Sequence, residues 1–204
     1  MLFPQARFVL VGRDGVINRR LASGFVRSWA EFEFLPRAIE ALRLLANHGF
    51  QTIIVAREEG VSLGLMSTDE LHALTSRLLL EVTLSGGRIR QVYSAMGGRE
   101  SECDSRGPLS GLLQQAITEH FIQAGEAHMI CDSPRDLEAA NSLGLSGTLV
   151  LRNSFLGNDF ANPNPLNVAS CLYVAVQQLL NGNVAHMRET PSLAWAEPPV
   201  TFLA

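Results

Sequence analysis

The chain has 204 residues, 47% hydrophobic and 18% charged, which suits one domain with its own core and argues against a disordered segment. A net charge of −4 without any basic cluster argues against nucleic acid as a partner, because phosphate neutralisation dominates such binding. All 16 basic residues are arginine, so lysine-dependent chemistry (Schiff bases, Walker-type phosphate loops, a lysine ammonium on a phosphate) is excluded. No apolar run reaches the roughly 18 residues of a membrane helix, and the opening MLFPQARFVLVGRD meets Arg7 and Asp14 too early for a signal peptide, so a cytoplasmic protein without membrane attachment is expected. Cys103, Cys131 and Cys171 are too scattered for a disulfide framework and read as isolated thiols.

Strand and helix patterns alternate, the signature of a parallel α/β sheet. Residues 7–11 (RFVLV) read as a buried strand ending at Gly12. Pro36 suits a first helical position ahead of Ile39, Leu42, Leu45 and Ala46, with Gly49 closing the helix. Residues 51–56 (QTIIVA) form the second strand, and Ser67 with Glu70 makes a capping box for a helix carrying Leu71, Leu74, Leu78 and Val82. A third strand is predicted over 89–94 and a helix from Pro108 through Leu109, Leu112, Leu113, Ala116 and Ile117. A strand at 127–131, a short helix at 136–142, a strand at 147–151 and a helix at 171–180 complete a domain of residues 1–181, with 182–204 as a C-terminal tail.

In such sheets ligands bind beyond the carboxyl ends of the strands, here Gly12-Arg13-Asp14-Gly15, Ala56-Arg57-Glu58-Glu59 and Asp132-Ser133-Pro134-Arg135-Asp136. Asp14 and Asp132 ending two strands suggest a magnesium and phosphate site, although the same aspartates would also serve as turn and cap residues. Arg19-Arg20, the one adjacent basic pair, reads as a solvated loop.

The run Gly12 to Asn18 (GRDGVIN) resembles the first motif of the haloacid-dehalogenase phosphatases, D-x-D-G-T. It is most similar to the branch containing the heptose-bisphosphate and histidinol-phosphate phosphatases. Gly24-Phe25-Val26, Phe32-Glu33-Phe34, His48-Gly49-Phe50, Gly60-Val61-Ser62-Leu63-Gly64, Asp132 and Asp136 follow in the same order, so the resemblance covers about residues 7–153. It implies a doubly wound, Rossmann-like, capless α/β fold. It also implies a magnesium ion held by the nucleophilic aspartate, the backbone carbonyl at Asp14 and the fourth-motif Asp132, beside Asp136.

Against that pattern, Gly12 stands where the resemblance implies the nucleophile, Ala56 where it implies a hydroxyl, and Gly107 where it implies a lysine. Asp14 matches the general acid and base, and Arg57 and Arg106 are the candidate phosphate partners. The branch's zinc loop would fall on Ser94, Met96, Cys103 and Ser105, which supply one good ligand of four, so no zinc is expected. Magnesium is expected to bind weakly if at all. The turn from Gly12 to Gly15 is expected to offer N–H groups to an anion. Three functions follow: a non-catalytic module binding a phosphate, a sugar phosphate or a protein; a slow or altered phosphomonoester hydrolase using Asp14 and Asp132; or a purely structural subunit. The tail, with Trp195 and Phe202 among Pro191, Pro198 and Pro199, is read as disordered, packed on its own domain, or an arm for a protein partner or second copy.

Overall fold

The structure is a computed structural model that describes residues 8–22, 24–95, 108–123, 125–151 and 167–187. Its centre is a six-stranded, wholly parallel sheet of β1 (Phe8–Gly12), β2 (Gln51–Arg57), β3 (Gln91–Ala95), β4 (Ala127–Cys131), β5 (Ser146–Val150) and β6 (Asn167–Ala169). The strand order is β3-β2-β1-β4-β5-β6. The chain winds outward from β1 through β2 to β3, then returns to lay β4 on the other side of β1. That reversal makes the carboxyl ends of β1 and β4 the switch point where a crevice must open.

Strand alternation divides the apolar residues between two cores. Val9, Val11, Ile54 and Ile130 face one layer, packed with α1 (Ala38–Asn47), α3 (Thr68–Leu84) and α6 (Leu172–Met187). Phe8, Leu10, Ile53, Val55, Met129 and Cys131 face the other, against α4 (Pro108–Glu119) and α5 (Pro134–Ser142). Because both faces are covered, the strands read as continuous apolar runs. The short α2 (Glu59–Ser62) follows β2, and among the described residues nothing larger than a 3₁₀ turn at Trp29–Glu31 lies between β1 and α1.

The capping box at Ser67 and Glu70 opens α3 as its spacing predicts, with Glu70 N donating to Ser67 Oγ and Ser67 N to Glu70 Oε2. Several boundaries differ from expectation. α1 begins at Ala38, not Pro36, because Arg37 takes a left-handed conformation (φ 63°) and its guanidinium lies over the Tyr173 ring on α6. α5 begins at Pro134, two residues before the expected start. β6 was not predicted, since three residues carry no period. α6 runs on to Met187, past the expected end at 180, and residues 188–204 of the expected tail lie outside the described residues.

One core residue carries a pH signature. His128 on β4 is buried between the hydroxyls of Ser146 and Thr148, each 2.8 Å from a ring nitrogen. Burial pushes its pKa from 6.5 down to about 4. Between those values the unfolded chain binds the proton and the folded chain does not, so the contribution of neutral His128 is complete above pH 6.5 and is lost as pH falls towards 4. The difference corresponds to about 3 kcal/mol. Thermal melting from pH 7 to 4 should show this fall, and His128→Gln should remove that part of the slope; an unchanged slope would assign it to other groups.

Candidate functional site

The crevice at the switch point is lined by Gly12, Arg13, Asp14, Arg20, Arg57 and Asp132, with Ala56, Glu59, Cys131 and Asp136 also on its wall. The fold therefore brings Gly12, Asp14, Arg57, Asp132 and Asp136 to one place. Arg106 and Gly107, and with them Cys103 and the expected zinc loop beyond Ser94, lie outside the described residues.

Two glycines of the Gly12–Asn18 run play unlike parts. Gly15 has φ +83°, and a Cβ there would fall 1.9 Å from Asp132 Oδ2, so only glycine closes this turn. Gly12 has no such constraint. A Cβ at Gly12 would meet Val16 Cγ2 at 3.4 Å, Ile130 O at 3.6 Å and Cys131 Cα at 3.7 Å, which is ordinary contact. A Cβ is tolerated at the end of β1, and the backbone does not require glycine there.

Arg13 occupies the floor of the crevice and is 2% exposed. Its Nη1 and Nη2 donate to Glu58 Oε1 and Oε2 at 2.5 and 3.1 Å, while Nη2 and Nε donate to Asp14 Oδ2 and Oδ1 at 2.9 and 3.4 Å. Glu58 is equally buried and also accepts from Ser94 Oγ at 3.4 Å. Burial disfavours the guanidinium charge, but Asp14 and Glu58 outweigh it and raise the Arg13 pKa above its ordinary value. Asp14 Oδ1 also accepts from Asn18 Nδ2 at 2.8 Å, so both oxygens of the expected acid and base are engaged. Neither Arg13 nor Glu58 stood out in the sequence, where nothing marks that one turn aims Arg13 inward and the next brings Glu58 beneath it.

The outer wall repeats the pattern. Arg20 Nη2 and Nε donate to Asp132 Oδ1 and Oδ2 at 3.0 and 3.2 Å, and Arg57 Nη1 donates to Asp136 Oδ1 at 3.1 Å. Burial raises the pKa of both aspartates, against the pull of Arg20 on Asp132 and of Arg57 on Asp136. Both residues of the Arg19-Arg20 pair are exposed, as expected, but Arg19 bonds exposed Glu33 at 2.8 Å while Arg20 also lines the crevice. Of the N–H groups in the Gly12–Gly15 turn, Arg13 N donates to Val55 O and Gly15 N to Asn18 O.

Magnesium takes oxygen donors in near-octahedral geometry at about 2.0–2.1 Å. The donors present do not fit that demand: Gly12 has no carboxylate, Asp132 gives both oxygens to Arg20, and Asp136 holds Arg57. Among the described residues no three His, Cys, Asp or Glu side chains are grouped as metal donors. Likewise no described helix is long and apolar enough to cross a membrane.

With this geometry in hand, comparison with known proteins gives a consistent relation. No family model matches the chain. The D-glycero-alpha-D-manno-heptose-1,7-bisphosphate 7-phosphatase of Mycobacterium bovis is 30% identical over 136 residues, which are 66% of this chain and 72% of that protein. The chain belongs to the heptose-bisphosphate phosphatase branch of the haloacid-dehalogenase superfamily. A second member of the branch, the D-glycero-beta-D-manno-heptose-1,7-bisphosphate 7-phosphatase of Pseudomonas putida, is 29% identical over 71% of this chain and 82% of its own. The crystal structure of the D,D-heptose 1,7-bisphosphate phosphatase from B. bronchiseptica, complexed with magnesium and phosphate, matches with a TM-score of 0.77 at 25% identity, over 86% of this chain and 99% of that one. The six-stranded parallel sheet and its flanking helices are the fold of this superfamily.

Two stability outcomes follow for this member of the branch. Arg13→Met leaves the buried Glu58 carboxylate and the partly buried Asp14 without their cation and should cost about 3–5 kcal/mol in urea unfolding. The Arg13→Met/Glu58→Met double variant should recover part of that loss, and strict additivity would show the pair to be uncoupled. Gly12→Ala should change stability by less than about 1 kcal/mol, whereas Gly15→Ala should cost more than about 2 kcal/mol through its left-handed backbone and the clash with Asp132.

Proposed function

We propose that this chain is a non-catalytic member of the heptose-bisphosphate phosphatase branch, a pseudoenzyme that keeps the crevice as a binding site. The observation that carries the reading is Asp14. Its carboxylate is held by Arg13 and Asn18, beside a strand end, Gly12, where a Cβ would make only ordinary contacts and no group is present to take up a phosphoryl. A general acid and base must exchange a proton with the substrate or a water, and a carboxylate tied on both oxygens to a buried guanidinium and an amide is poorly placed to do so.

A phosphate or sugar phosphate is the ligand class favoured by relation to the B. bronchiseptica enzyme, which was complexed with phosphate. Arg57 and Arg20 are the groups that would receive it. Both guanidinium groups reach the crevice surface, and bidentate guanidinium contacts suit phosphate oxygens. Arg106 is a further candidate partner. A cytoplasmic location, magnesium too weakly held to act, no zinc, and a role for 182–204 in contacting a protein partner or second copy belong to the same reading.

A phosphomonoester panel that includes heptose 1,7-bisphosphate, with Mg²⁺ and high protein concentration, tests it. Turnover should not exceed that of Asp14→Asn, because loss of a covalent nucleophile removes several powers of ten in rate. Gly12→Asp alone should stay nearly inactive, since charge arranged around the transferring phosphoryl is a large catalytic effect that one carboxylate does not rebuild. Turnover by the natural chain that disappears in Asp14→Asn would establish a slow hydrolase instead.

A further inference from the structure

The disagreement between this crevice and a magnesium site has a particular form. Arg20 Nη2 lies 3.0 Å from Asp132 Oδ1 and 3.5 Å from the backbone carbonyl oxygen of Asp14, and Arg20 Nε lies 3.2 Å from Asp132 Oδ2. One guanidinium thus donates to both groups that would remain as metal ligands once the carboxylate at position 12 is gone.

We propose that Arg20 is an internal cation that stands in place of the metal ion and makes this site independent of divalent cations.

Charge matching supports the exchange. With glycine at position 12, one negative charge has left the ligand set, and the Asp132 carboxylate that remains is balanced by a single positive charge. A guanidinium supplies that charge with the planar fork that fits both carboxylate oxygens. A divalent ion would instead leave an excess positive charge, and it would have to approach within coordination distance of oxygens that already accept from Arg20. Tethering adds to the effect. Arg20 follows Asp14 by six residues, so its guanidinium is present at the site at an effective concentration set by a short segment, which an ion at millimolar concentration must exceed. Arg19 provides the contrast: its exposed partner Glu33 is 61% accessible, whereas the Asp132 side chain that Arg20 holds is 21% accessible, the two guanidiniums being 53% and 44% accessible.

This inference does not depend on whether any hydrolysis survives, and its test does not read turnover. Free Mn²⁺ is counted by its paramagnetic resonance while it is titrated into the natural chain, Arg20→Ala, Arg20→Gln, Arg20→Ala/Asp132→Asn and Arg19→Ala, and thermal melting is followed with Mg²⁺ or chelator. The natural chain and Arg19→Ala should show little binding and no change in melting with either addition. Arg20→Ala and Arg20→Gln should bind Mn²⁺ about tenfold or more tighter and be stabilised by Mg²⁺, and Asp132→Asn should abolish the gain. Arg20→Gln serves if Arg20→Ala does not fold. Equal Mn²⁺ binding by the natural chain and the Arg20 variants would overturn the proposal, as would a gain that survives Asp132→Asn.

Discussion

A single buried guanidinium organises the crevice. Arg13 lies one residue beyond the end of β1 and turns inward, so its charge must be met inside the protein or the fold loses several kcal/mol. Glu58 meets it from the end of β2, and Asp14 from the adjoining residue. That pairing joins the carboxyl ends of neighbouring strands and sets the orientation of Asp14. It also brings in Asn18, which bonds Asp14 and, through isolated bridges to Asp14 and Phe34, fixes the chain as it leaves for the loop towards α1. In a chain without lysine, the cation beside Asp14 comes from the turn itself. A group held by its own neighbours in this way gains rigidity.

The fold was readable because its signals are collective. The apolar runs of β1 and β2, two helices with clear apolar faces and the Ser67–Glu70 cap each rest on several residues that agree, and a parallel sheet follows from the alternation of strand and helix. The position of the crevice was readable for the same reason, since it is a property of the topology. The wiring inside it was not. Whether Arg13 turns towards the core or the solvent depends on one backbone turn, and no periodicity reports that. Arg19 and Arg20 are identical neighbours in sequence, yet one bonds exposed Glu33 and the other an aspartate at the end of β4, 112 residues away. Glu58 reads as one acidic residue beside another, and only the Arg13 contact separates it from Glu59. Elements without collective signal were missed likewise, as with β6 and the final turns of α6.

Gly12 and Gly15 show how the same residue type carries opposite information within four positions. Gly15 is dictated by geometry: its backbone angle and the proximity of Asp132 leave no room for a side chain. Gly12 is a chemical statement, because the strand would accept a Cβ in ordinary contact and the position brings no carboxylate to the crevice. Distinguishing the two requires coordinates, since both glycines flank the same turn.

Once the strand end carries no carboxylate, the rest of the charge arrangement becomes consistent. Arg13 is shared by Asp14 and Glu58, Arg20 answers Asp132 and Arg57 answers Asp136, so each aspartate on the crevice wall has a tethered partner. Tethered cations differ from a bound metal ion in kind. A metal ion carries water and exchanges with solvent, and it can polarise an oxygen it ligates directly. Guanidinium groups carry no ligand water, remain charged at every physiological pH and recognise oxygens through directed hydrogen bonds. A wall built from them is suited to holding an anionic oxygen group in a fixed orientation and poorly suited to activating a water against it. A metal ion supports hydrolysis and recognition together, whereas guanidinium groups by themselves support recognition.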